Sequence, residues 1–394
     1  MKIKGSENGR LSAIFPLISF IAAAHLFVLS LPDSVAAEDV ENVCVDCHIE
    51  LDDYLKQVVI DWRDSIHVKA GVFCHDCHGG NPSDSDVAMD EEEGFKGKPE
   101  PAETPSICAR CHSDPGRMRA GNLPFDQFQK YKSSVHGIKL LKENDNEAPN
   151  CQNCHGSHKI LRVSDPKSPA NRSNIVKTCG GCHSNSEIMK KRKLPFNQYE
   201  LYKKSVHGKP YFETGDLGVP TCIDCHGNHG IKKPDSLAVR LVCVKCHIDQ
   251  EEYYKKSAHW AVAKLTGKPV CEHCHSNHSI SPPSLEMFAG TGRLDCGGCH
   301  DAGSMPMETA AEIAALLKET GGAMEAAKER LETLSEWSGS GFETSHLTRK
   351  VNKAEKSLNK MAFIQHSLNV DMLKKEAVKV DGLSNEVSAE VERM

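Results

Sequence analysis

Aromatic side chains are scarce in this chain, at 6% of 394 residues, whereas 26% are charged. Side chains alone would give only a thin apolar core at this length. Beyond the N-terminal stretch no apolar run is long enough to cross a membrane. There is no basic excess either: the formal net charge is −6, and no nucleic-acid partner is expected. No cysteine falls outside the paired pattern described below, so there is no odd thiol to signal intermolecular bridging. Something other than side chains must fill the interior.

Lys2, Lys4 and Arg10 precede an apolar stretch from Leu11 to Leu31, followed by Val35-Ala36-Ala37. That is the layout of a signal peptide. Cleavage after Ala37 would leave 357 residues (394 − 37), exported to the periplasm or beyond and soluble. The run is also long enough to serve as an uncleaved anchor. Cys44 does not sit behind a small-residue lipidation signal, so no lipid anchor is expected. The expected divisions are a leader at 1–37, a cysteine-rich domain at 38–303 and a C-terminal region at 304–394.

The 18 cysteines form nine pairs, each with two residues between the partners and a histidine directly after the second. In order they are Cys44, Cys47 and His48; Cys74, Cys77 and His78; Cys108, Cys111 and His112; Cys151, Cys154 and His155; Cys179, Cys182 and His183; Cys222, Cys225 and His226; Cys243, Cys246 and His247; Cys271, Cys274 and His275; Cys296, Cys299 and His300. Two thiols three positions apart can add to the two vinyl groups on one edge of a haem, and the adjacent histidine then reaches the iron. Disulfides give no reason for the following histidine. Zinc sites assembled from half-sites cannot use an odd number of them. The pattern predicts nine covalently attached haems c.

A haem with protein ligands on both faces transfers electrons, and one with an open face can bind a small molecule. The remaining histidines therefore bear on function. His67, His136, His207 and His259 each follow a serine by two positions. His158, His229 and His278 each lie three residues beyond a motif histidine, too close to reach the far face of the same iron, so they should serve a neighbouring haem. His346 and His366 lie in the C-terminal region. These nine candidates match nine haems, with His75 and His273, inside the motif loops, as spares. Met118, Met189, Met287 and Met305 read as packing residues.

Asn122-Leu123-Pro124-Phe125 through Gly137 recurs 71 residues later as Lys193-Leu194-Pro195-Phe196 through Gly208, and the same offset carries Cys151 to Cys222 and His158 to His229. This defines a repeat. Each unit holds Ser-x-His, a motif, usually a histidine three further on, and a second motif. Four units run roughly over 51–121, 122–192, 193–250 and 251–303, preceded by one lone motif. In the first unit Asn81 stands where His158 stands in the second, which marks the neighbourhood of Asn81 and His75 as the expected place for an open iron face. The insertion Asp84 to Glu103, with Asp90-Glu91-Glu92-Glu93, reads as a solvated acidic loop.

Beyond His300, Ile313, Leu316, Leu317, Met324, Leu331 and Leu334 recur at helical spacing. Ser338-Gly339-Ser340-Gly341 should break this helix from a second at about 345–369, with a third over about 370–393. The expected fold is mainly α with extensive loops: an array in which haems take the role of the core, followed by a helical hairpin or bundle that caps it or forms a homo-oligomer. From Cys44 to His300 there are 257 residues, roughly 29 per haem, too few for separate domains. Ionised haem propionates would make the surface more acidic still, favouring partners with basic patches.

On these residues the chain resembles the multihaem cytochromes c of anaerobic respiration, in particular those with doubled C-x-x-C-H repeats carrying Ser-x-His-Gly and C-x-x-C-H-G-x-H. The likeness covers Cys44 to His300. It implies haems packed in parallel and perpendicular pairs. It also implies relay of electrons from a quinol-oxidising membrane complex to a downstream reductase or outer-surface cytochrome. The stretch around Gln365-His366-Ser367-Leu368 also looks like the helical C-termini of the nitrite reductase and hydroxylamine oxidoreductase group. Those nitrite reductases usually carry a C-x-x-C-K site, and none occurs here. The expectation is an electron carrier, with a multihaem oxidoreductase of nitrite, hydroxylamine or sulfur-oxyanion type, having one open-faced haem, as the alternative.

Overall fold

The computed structural model describes residues 42–52, 54–232, 241–289, 296–337 and 343–394. The expected leader and the Ser338–Gly341 break lie outside the described residues. Every regular element among the described residues is helical, so the fold is mainly α.

In each repeat the first motif folds as a single turn: Cys74–His78, Cys151–His155, Cys222–His226 and Cys271–His275. So short a helix is costly to nucleate alone. It is closed by its third residue, whose side chain accepts the backbone N–H of the residue before the first cysteine. Phe73 donates to Asp76 at 2.8 Å, Asn150 to Asn153 at 2.8 Å, Thr221 to Asp224 at 2.6 Å and Val270 to His273 Nδ1 at 3.1 Å. In the first two units the second motif instead ends a longer helix, Thr104–His112 or Ile175–His183, and in the fourth it starts with the short 3-10 turn Cys296–Gly298.

The serine of each Ser-x-His is buried, at 0 to 6% exposure; Ser65, Ser134 and Ser257 are helix N-caps, and Ser205 ends one helix while its hydroxyl accepts from the first residue of the next. Ser65 Oγ accepts from His67 N at 3.1 Å, Ser134 from Gly137 at 2.9 Å, Ser205 from Gly208 at 3.0 Å and Ser257 from Trp260 at 3.3 Å. The cap therefore fixes the histidine in the first turn of a new helix. Gly137 and Gly208 follow directly because the previous helix passes so close: a Cβ would stand 2.0 Å from the Tyr131 carbonyl oxygen or 1.9 Å from that of Tyr202.

After the repeats come three long helices, Met305–Trp337, Ser345–Ile364 and Val370–Val391. Their buried positions follow an alternating three- and four-residue spacing: Ala310, Ile313, Thr320, Met324, Ala327 and Leu331 on the first; Leu347, Val351, Ala354 and Met361 on the second; Leu373, Ala377, Val380, Ser384 and Val387 on the third. That spacing puts one apolar seam on each helix, and the seams join in one core. Tyr253 and Phe288 of the last repeat pack against the same core. No helix among the described residues is long and apolar enough to cross a membrane.

Candidate haem-ligand array

All 18 cysteines are free, and the motif thiols lie along one side of a turn as the spacing requires. Thiols of successive motifs approach one another. Cys108 neighbours Cys151, Cys179 neighbours Cys222 and Cys243 neighbours Cys271, while Cys44 stands within electrostatic reach of Cys74.

The histidines stand in facing twos, each made of one motif histidine and one other. Ring centroids are 6.2 Å apart for His67–His112, 6.2 Å for His136–His183, 6.2 Å for His207–His247 and 5.9 Å for His259–His300. They are 6.3 Å apart for His78–His158, 6.0 Å for His155–His229, 5.9 Å for His226–His278 and 6.1 Å for His275–His366. Two imidazoles on opposite faces of one iron, each nitrogen about 2 Å from the metal, put their centroids roughly 6 Å apart. The residues present therefore fit bis-histidine haem c. Among the described residues no three His, Cys, Asp or Glu side chains converge to cage an ion, which separates this arrangement from a zinc cluster.

The pairing follows one rule. Each Ser-x-His histidine faces the second motif of its own unit, whereas each histidine three beyond a motif faces the first motif of the unit before. The cross-unit pairs are backed by a main-chain link: Ile66 N donates to the Ile160 carbonyl at 2.8 Å, Val135 to Ile231 at 2.9 Å and Val206 to Ile280 at 2.9 Å. Each acceptor lies two residues beyond the incoming histidine.

Burial lowers the pKa of His67, His136, His158, His207, His229, His259, His275 and His278, and in each the facing ring adds to the effect. His136 is brought down to about 4 by burial, then by His183 and Arg192, and His67 is lowered by burial and by His112. Neutral imidazole is the ligating form, so the site is set for metal before metal arrives. Backbone carbonyls fix ring orientation: His78 Nδ1 lies 2.8 Å from the Gly97 oxygen and His366 Nδ1 3.2 Å from that of Phe363, leaving Nε2 for the iron.

Two expectations need correction. His346 does not face a motif histidine; its Nε2 lies 2.6 Å from Glu390 in the helical bundle. His346 lies in the bundle helix Ser345–Ile364, and among the described residues of the C-terminal region it is His366 that faces a motif histidine. Asn81 does not leave an iron face open beside it, because His78 is faced by His158. By the pairing rule a histidine at 81 would face the first motif of a preceding unit, and the lone motif is not of that kind. Val43-Cys44-Val45-Asp46-Cys47-His48-Ile49 differs at one position from Val242-Cys243-Val244-Lys245-Cys246-His247-Ile248, a second motif. His48 is the one motif histidine with no facing imidazole among the described residues; the other eight each have one. Of the spares, His273 caps its own turn, and His75 stacks on Phe73 with its Nδ1 buried and unpartnered.

One set of residues escaped the sequence reading. Three residues before each capping serine stands an aromatic donor that ties its helix to the carbonyl two residues before the next motif. Trp62 Nε1 donates to Val72 at 3.1 Å, Tyr131 to Pro149 at 2.9 Å, Tyr202 to Pro220 at 2.9 Å, and Tyr254 to Pro269. Burial raises the pKa of Tyr131 and Tyr202, holding each phenol as a donor. The fixed offset from the serine was visible in the sequence, but its meaning lies in the fold. Met118 and Met189 are buried packing residues, as expected.

Residues 66–184, holding four of the motifs, match the Cytochrome c3 family. No curated protein and no solved structure gives a match. That match, the motif chemistry and the facing imidazoles support a multihaem c-type cytochrome that binds haem covalently and transfers electrons.

Proposed function

We propose that the chain is a periplasmic or extracellular relay that carries electrons through nine haems c in anaerobic respiration. The interlocked histidine pairs carry this reading. Because each unit supplies a ligand position to the unit before it, successive haems are tied together by the chain rather than held on separate modules. The close approach of successive motif thiols supports short steps between neighbours. Bound haem supplies the Fe(III)/Fe(II) couple. The chain's part is to hold two neutral imidazoles on a haem, to orient them through carbonyls and to keep neighbouring motifs in contact. Two imidazoles favour a lower potential than imidazole with thioether, which suits a quinol-oxidising membrane complex as donor. A downstream reductase or outer-surface cytochrome presenting basic patches would be the acceptor.

Intact mass of the exported protein tests the count: nine covalent haems and a polypeptide lacking residues 1–37 are expected. Coulometric titration should then take up nine electrons per chain across a broad range of potential. Fewer haems, or a fraction of them that equilibrates with the rest only through an added mediator, would sink the relay. A second reading, in which one haem meets a small molecule, draws on His48, which no imidazole faces among the described residues.

A further inference from the structure

We propose that the haem held by Cys44, Cys47 and His48 receives no sixth ligand from this chain and binds a small neutral molecule there. This rests on the nine-haem reading and assigns one of the nine a different role.

The pairing rule says where its partner would be. For the second motifs, the Ser-x-His histidine lies 40 to 47 residues before the motif histidine, as in His207 and His247 or His136 and His183. For His48 that spacing falls on positions 1 to 8, which contain no histidine. Within residues 1–47 the one histidine, His25, lies inside the apolar stretch and follows no serine by two positions. Asn42 caps the helix Val43–Ile49, Val45 is buried, and Val43 N donates to the Pro82 carbonyl at 3.0 Å. The proximal half of the site is thus built and held, and no imidazole among the described residues faces it.

The ligand class follows from charge. Asp46, Glu50 and Asp52 lie on or just after the helix that carries His48, and Lys56 is engaged by Asp52 at 3.6 Å. Haem propionates would add to this negative field, so anions such as nitrite are repelled and a neutral molecule such as carbon monoxide or nitric oxide is admitted.

Carbon monoxide titration of the dithionite-reduced full-length protein, followed in the Soret band, tests this directly. One equivalent per chain is expected, and the ferric protein should ignore nitrite at concentrations where nitric oxide binds fully. The double variant Cys44→Ser, Cys47→Ser should lose one haem by mass and the whole carbon monoxide equivalent with it. The matched variant Cys243→Ser, Cys246→Ser should lose one haem and keep the equivalent. Nine haems with no carbon monoxide uptake would overturn the inference and leave the relay intact, as would uptake that survives loss of the first haem. A haem count below nine in the wild type would instead count against the relay reading on which it rests.

Discussion

The repeats and the C-terminal bundle solve the same problem, filling an interior, by opposite means. In the bundle the interior is side chains: Ile313, Met324, Leu347, Met361, Leu373, Val380 and Val387 are all at 0 or 1% exposure and lie on three regular seams. In the repeats the most buried residues are often polar, with Ser65, Ser134, Ser205 and Thr221 at 2% or less, and each is occupied in capping a helix. The facing imidazoles stand 5.9 to 6.3 Å apart, the separation that an iron held between them requires. One half of the chain should fold on hydrophobic burial, and the other only around haem.

Making the protein in cells that cannot attach haem should give the largest effect. The repeats should then lose their compact fold while residues 305–391 keep slow amide exchange; protection spread evenly over both parts would erase the contrast. Next, Leu347→Ala or Met361→Ala should cost the bundle about 2–5 kcal/mol, as deletion of fully buried side chains does. Thermal melting should show this with the visible spectrum unaltered at low temperature. His366→Ala should convert one low-spin haem, that of His275, to a form that takes up a further carbon monoxide, whereas His346→Ala should leave the visible spectrum unchanged. Smallest should be the loss of single tethers: Tyr202→Phe or Ser205→Ala should each cost about 1 kcal/mol, read by denaturant titration.

Much of this contrast was legible in residue order. Seam residues such as Leu331 and Met324 announce themselves by spacing, because a helix converts periodicity directly into a face. The C-x-x-C-H motifs do likewise, since their chemistry is complete within one turn. The identity of the far ligands was only half legible. That His158 must leave its own haem followed from chain length, but that it faces His78 depends on the link from Ile66 to Ile160, a contact across 94 residues. His346 and His366 looked alike for the same reason: no local feature says that one meets Glu390 and the other His275. Asn81 misled because a missing histidine was taken to leave a nearby iron short. The motif histidine that no imidazole faces among the described residues is His48, where the sequence around the motif copies that around His247.

Near-infrared magnetic circular dichroism of the fully ferric protein, calibrated against haem content, tests the account most directly because it counts bis-imidazole haems. Eight of nine in that form, with the ninth high-spin or weakly ligated, is the predicted result. Nine of nine would place an imidazole on the His48 haem, and fewer than eight would contradict the pairing rule itself.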